Sequence, residues 1–128
     1  MKQKHYLVVG ASSVAGQKAL EAIRLKDPNA RITITTSKQA PQDETAGAKR
    51  DIVYGVDLAK PGTIRHIKPA LEAPVDVMVF CPAFGMVGYP AELAPVADVE
   101  ACFDFSVRPV LELIDELNPQ LTIGFSSY

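Results

Sequence analysis

Tyr6-Leu7-Val8-Val9-Gly10-Ala11-Ser12-Ser13-Val14-Ala15-Gly16 is an apolar run that stops at a glycine, followed by small residues up to a second glycine six positions on. Beyond it the pattern turns amphipathic, with Val14, Ala15, Ala19, Leu20, Ala22, Ile23 and Leu25 recurring at helical spacing. Strand, small-residue turn and helix in that order predict a phosphate site. The turn lets backbone approach a pyrophosphate, and the helix N-terminus offers N–H groups and positive dipole. Gly10 is expected to take the unusual angles of the turn, and Gly16 to let the helix pack closely on the strand. The spacing departs from G-x-G-x-x-G, so the strand–turn–helix context carries more than the pattern does. The plainer alternative is an ordinary strand-to-helix turn that binds nothing.

Outward from this stretch, Asp27-Pro28-Asn29 should stop the first helix. Arg31-Ile32-Thr33-Ile34-Thr35-Thr36 alternates and is β-branched, which predicts a second strand. Gln39 to Lys49 is polar and reads as a loop or a short exposed helix. Asp51 to Asp57 reads as a third strand, and Pro61 opens an expected helix through Ile64, Ile67, Ala70 and Leu71. Val75-Asp76-Val77-Met78-Val79-Phe80 is nearly continuous in apolar residues, as suits the centre of a parallel sheet. Cys81 to Pro95 reads as a long loop. The longest helix is expected from about Asp98 to Leu117, with Pro109 kinking or breaking it. Leu121 to Phe125 forms a fifth strand, tipped by Ser126-Ser127-Tyr128.

Strands alternating with helices demand a parallel sheet with right-handed crossovers. The expectation is an α/β, doubly wound, Rossmann-like sheet of about five strands in the order 3-2-1-4-5. Its switch point lies between strands 1 and 4, where the Gly10 and Cys81 loops meet.

Composition narrows the function classes. At 128 residues the chain suits one domain with a proper core, and 48% apolar with 22% charged residues fits a globular protein. A net charge of −2 gives no electrostatic reason to expect nucleic acid or an anionic membrane. No apolar run approaches the roughly 20 residues needed to span a bilayer. The apolar stretch after His5 is too short for a signal-peptide core, so the expected location is the cytoplasm. Cys81 and Cys102 sit in apolar surroundings and are expected as buried free thiols. Two lone histidines without Cys/His spacing give a zinc site no support.

Several of these stretches together resemble the short-chain dehydrogenase/reductase family. Val9-Gly10-Ala11-Ser12-Ser13-Val14-Ala15-Gly16 stands where that family has T-G-A-S-S-G-I-G, with Val14 in the place of the middle glycine. The resemblance implies that Gly10, Ser12, Ser13, Val14 and Gly16 meet the dinucleotide. Ser37-Lys38 stands at the end of the second strand, where the family uses a small residue followed by a basic one for NADP. Asp57-Leu58 stands where the family contacts the adenine; alone, Asp57 reads equally as a turn aspartate. Cys81-Pro82-Ala83-Phe84-Gly85 replaces the family's Asn-Asn-Ala-Gly, leaving Cys81, Pro82 and Ala83 beside the cofactor, and Ser106 falls near its active-site asparagine. Phe125-Ser126-Ser127 matches the family's fifth-strand ending, which makes Ser127 the candidate catalytic residue.

The family's catalytic Tyr-x-x-x-Lys would lie beyond residue 128, and no tyrosine of this sequence has a lysine four positions later. The implied unit is a single dinucleotide-binding domain over 1–128, truncated before that motif. Its implied activity is NADP(H)-dependent hydride transfer on a carbonyl or alcohol, with a dinucleotide and a small molecule as partners and a homo-oligomer allowed. Residues 1–128 alone are expected to bind nucleotide weakly and turn nothing over. A non-catalytic nucleotide-binding or structural module is the alternative, favoured by Val14, the altered Cys81 loop and Ser106. The opening is also similar to that of semialdehyde dehydrogenases, but neither Cys81 nor Cys102 has a site-like context. A receiver domain would need acidic residues where Val9-Gly10 ends the first strand, so it is set aside.

Overall fold

The structure is a computed structural model, described for residues 3–11, 13–38, 51–81, 96–97, 100, 103–104 and 107–124. Five strands form one parallel sheet: β1 (His5–Val9), β2 (Arg31–Thr35), β3 (Ile52–Val53), β4 (Val77–Phe80) and β5 (Leu121–Gly124). Their order is β3-β2-β1-β4-β5, as the alternating pattern predicts. β1 is central because it pairs with β2 through His5–Val8 and with β4 through Tyr6–Val9.

Side chains of a strand alternate between faces, so a strand covered on both sides must be apolar throughout. Leu7 and Val9 enter one core with Met78 and Phe80. Val8 enters the other with Val77 and Val79. Helix α1 (Val14–Lys26) covers the second face with Leu20 and Ile23. Helices α2 (Pro61–Ile64), α3 (Ile67–Ala70) and α4 (Arg108–Leu117) cover the first, through Ile64, Ile67 and Leu113.

Three elements differ from the sequence expectation. The third strand is only Ile52–Val53, because Gly55 takes a φ of 69° and turns the chain out of the sheet. The helix expected from Pro61 to Leu71 is two short pieces parted at Arg65-His66. Pro69 has no N–H for the Arg65 carbonyl, and its ring crowds that carbonyl, so one helix cannot run through. The chain is helical at Phe103-Asp104, and α4 then starts at Arg108. Pro109 therefore sits in a first turn, where a missing N–H costs no hydrogen bond. Of the two outcomes expected at Pro109, this is the break.

The edge opposite the strands' C-terminal ends is closed by a buried polar cluster. His5, 2% exposed, has Nδ1 at 3.1 and 3.0 Å from the Ala73 and Pro74 carbonyls. Carbonyls only accept, so Nδ1 carries a proton, while Nε2 is hydrogen-bonded with the Thr33 hydroxyl at 2.7 Å. The His5 N–H donates to the Asp76 carboxylate at 2.8 Å, and the three central strands are tied at that end.

Candidate functional site

The site lies where the chain leaves β1. Gly10 has a φ of 79°, a conformation that a side chain disfavours, as expected for the turn. Ser13 then caps α1. Its hydroxyl accepts from the Gly16 N–H at 3.0 Å and donates to the Gly10 carbonyl at 3.0 Å. The Gly10 carbonyl also accepts from the Ser13 N–H at 3.2 Å, and the Ala11 carbonyl accepts from Gln17 Nε2 at 2.6 Å. The Gly10 and Ala11 carbonyls are thus engaged within the turn. The N–H groups of Val14 and Ala15, the first of α1, have no acceptor in the helix. No acidic side chain stands in that first turn, so the positive helix end is not neutralised locally. An anion of phosphate size matches this donor set.

Gly16 holds helix and turn together. A β-carbon there would meet the Gly10 carbonyl oxygen at 2.6 Å and Ala11 Cα at 2.7 Å, both backbone atoms that cannot swing aside. The close packing expected of Gly16 is therefore real, and its partner is the turn itself. Val14 projects outward with 81% of its surface exposed, at the mouth of the turn.

The second part of the site is the exit of β2. The buried Thr35 hydroxyl accepts from the Gly10 N–H at 3.3 Å, linking β2 to the turn. Ser37 and Lys38 follow, both exposed. The Lys38 N–H donates to the Thr36 hydroxyl at 3.3 Å, and the Lys38 carbonyl accepts from the Gly55 N–H at 2.8 Å. Asp57 lies just beyond, its carboxylate accepting from the Ala59 N–H at 3.1 Å and standing 4.0 Å from Lys60 Nζ. That is the turn-aspartate geometry the sequence allowed. The Leu58 side chain is buried in the α4-side core, and its carbonyl accepts from Arg108 at 3.3 Å.

The third part is the end of β4. Cys81 is 2% exposed, its side chain packed in the α1-side core and its N–H donating to the Val9 carbonyl at 3.0 Å. Burial pushes its thiol above the ordinary range, so it is a neutral packing group, not a nucleophile. Ser12, Pro82, Ala83, Cys102, Ser106 and Ser127 lie outside the described residues.

Gly10, Ser13, Val14 and Gly16 are thus brought together at one helix end, with Lys38 at the exit of β2 and Asp57 past the exit of β3, on the same end of the sheet. Thr35 and Gln17 also build the turn, while Thr36 and Gly55 hold the backbone of the Lys38 loop without belonging to the turn; none of the four was singled out from the sequence. Ser13 had a readable signal, a serine directly before a helical repeat. Gly55 had one too, a glycine just past a β-branched run. Among the described residues no cluster of His, Cys, Asp or Glu could hold a metal ion, and no helix is long and apolar enough to cross a membrane.

No family model matches the sequence, and no curated protein does. Solved structures do. A short-chain dehydrogenase family protein from Francisella tularensis superposes with a TM-score of 0.73 at 17% identity, over 98% of this chain and 52% of that one. A short-chain dehydrogenase/reductase from Burkholderia multivorans with bound NADP gives 0.71 at 19% identity, over 98% and 59%. A short-chain dehydrogenase from Leptospira borgpetersenii with bound NAD+ gives 0.68 at 17% identity, over 99% and 52%. The chain therefore has the fold of short-chain dehydrogenase/reductases over about half of their length. At such identities the likeness establishes the fold, and the chemistry has to be argued from the site.

Proposed function

We propose that this chain is the cofactor-binding portion of an NADP(H)-dependent short-chain oxidoreductase, one dinucleotide-binding domain whose 128 residues contain no Tyr-x-x-x-Lys for proton transfer. The observation that carries the reading is the capped Gly10–Gly16 turn at the β1/β4 switch point, bonded to Thr35 of β2, with Lys38 at the exit of that neighbouring strand. The N–H groups of Val14 and Ala15 would hold the pyrophosphate, and the Lys38 ammonium the ribose 2′-phosphate. Asp57 would meet the adenine, and the backbone of Cys81, Pro82 and Ala83 would flank the nicotinamide side. Bound there, the nicotinamide supplies or accepts hydride. Ser127 would polarise the oxygen of a small carbonyl or alcohol substrate. The mixed NAD and NADP content of similar structures supports a nicotinamide dinucleotide, and Lys38 is the reason for choosing NADP. A buried free Cys81 suits the reducing cytoplasm, where we place the protein.

Titration of NADPH against the wild-type chain and Gly10→Asp tests this. Weak binding is expected in the first and none in the second, because a carboxylate would sit in the anion's place. Equal binding, no binding at all, or carbonyl reduction by residues 1–128 would each overturn it.

A second reading, a nucleotide-binding module without catalysis, is favoured by the Val14 side chain standing exposed at the mouth of the turn. Val14→Gly separates the two. If Val14 bars close approach, the glycine variant binds NADPH more tightly; if affinity is unchanged, Val14 gives that reading no support.

A further inference from the structure

An exposed lysine has four rotatable bonds and many possible targets, so its value in recognition depends on where its backbone is held. Among the described residues, no carboxylate lies within ion-pair distance of Lys38, whereas Lys60 has one and Arg31 and Arg108 have two each. The Lys38 backbone is also bonded at both ends. Its N–H reaches the Thr36 hydroxyl at 3.3 Å, and its carbonyl accepts from Gly55 at 2.8 Å. One residue earlier the clamp repeats: the Thr36 N–H donates to Val53 at 3.0 Å, and the Thr36 carbonyl accepts from Val56 at 2.9 Å. Four hydrogen bonds therefore hold residues 36–38, three of them made with the exit of β3.

Gly55 makes that arrangement possible. Its φ of 69° lies in the left-handed region, which reverses the chain so that successive N–H groups, of Gly55 and Val56, both face β2. A β-branched residue cannot hold that angle, and with it would go the bond to the Lys38 carbonyl. Asparagine visits the same region with little strain. β3 itself contributes two residues to the sheet, so the position of the β2 exit depends on this clamp more than on the strand ladder.

We propose that Gly55 and Thr36 are specificity-determining positioning residues, which fix the Lys38 backbone so that its ammonium meets the 2′-phosphate of an NADP-type dinucleotide. This rests on the NADP(H) reading above and adds to it a source for the preference. Neither residue touches the nucleotide; both act through Lys38. They are distinct in kind from Thr35, whose hydroxyl serves the pyrophosphate turn common to both dinucleotides.

The experiment is a pair of fluorescence titrations, NADPH and NADH, on the whole chain and five variants, each checked by thermal melting. Lys38→Ala should abolish the preference for NADPH. Gly55→Val and Thr36→Val should each reduce it by about fivefold or more, the scale of a weakened charge-assisted contact. NADH affinity should stay where it is, which general damage to the fold would not allow. Gly55→Asn and Thr36→Ser, which keep the backbone angle and the hydroxyl, should restore the preference. If Lys38→Ala loses the preference while Gly55→Val and Thr36→Val keep it, the positioning role is wrong and the cofactor assignment stands. If Lys38→Ala changes nothing, or the wild type does not favour NADPH, the cofactor assignment fails and this role fails with it. Should Gly55→Val not fold, Thr36→Val against Thr36→Ser decides the question alone.

Discussion

β1 and β5 belong to the same parallel sheet and carry the same kind of apolar residue, yet they end in opposite situations. Leu7, Val8 and Val9 are fully buried, whereas Leu121 is 53% and Ile123 41% exposed. β1 has a strand on each side and helices over both faces. β5 has β4 on one side only, and its register places Leu121 and Ile123 beside Val77 and Val79, on the face that α1 covers over β1. No described helix reaches them there. The α4 helix repeats the contrast, with Leu113 fully buried and Leu111, two residues away on the opposite side, 57% exposed. An apolar residue in a strand states which face can be buried; only the neighbours state whether it is.

The strongest test of that contrast is Leu7→Ala. Removing a fully buried side chain between two strands should cost about 3 kcal/mol, read from urea unfolding, through lost transfer energy and the cavity left behind. A cost below about 1 kcal/mol would mean that the β1 region is as loosely packed as β5. Next is Gly16→Ala, expected to cost about 2 kcal/mol and to weaken NADPH binding, because the added carbon meets unyielding backbone. Retention of both stability and binding would show that helix and turn can part.

A smaller effect is expected at Cys81. Burial raises its thiol above the value it has in the unfolded chain, so folding favours the protonated form. The resulting stability is complete below the ordinary thiol pKa of about 8.5 and is lost as pH rises from there through the higher folded value. Cys81→Ala should flatten that alkaline decline relative to wild type; an identical slope would remove Cys81 from the account. The smallest effect belongs to Ile123→Thr, within about 0.5 kcal/mol for the isolated chain at low concentration. A cost above about 2 kcal/mol, or one that grows with protein concentration, would reveal that this face is covered in solution.

Much of this contrast was legible in the residues. The run Leu7-Val8-Val9 announces a strand covered on both faces, and Gly10, Gly16 and the helical repeat after Ser13 announce the turn. Pro28 and Pro109 marked boundaries correctly. Pro69 was equally visible but sat within a stretch whose apolar spacing suggested one continuous helix, and the missing hydrogen bond prevailed over the pattern. The third strand looked seven residues long because Val53, Tyr54 and Val56 are β-formers. The sheet ends after Val53 because Gly55 reverses the chain, and that reversal serves the Lys38 loop rather than the strand.

Sequence alone determined the order of elements, the parallel sheet and the place of the Gly10–Gly16 turn. Each of these follows from local periodicity and from glycine, proline and serine at element ends, which act on neighbouring residues. Only the tertiary structure decided that Thr35 holds the Gly10 turn, that Gly55 clamps Lys38, that Leu58 and Cys81 turn their side chains into the core, and that β5 keeps an open face. Those facts join residues far apart in the chain, from 17 positions for Lys38 and Gly55 to 72 for Cys81 and Val9. Hydrogen bonds and packing across such distances exist only once the sheet has brought the segments together.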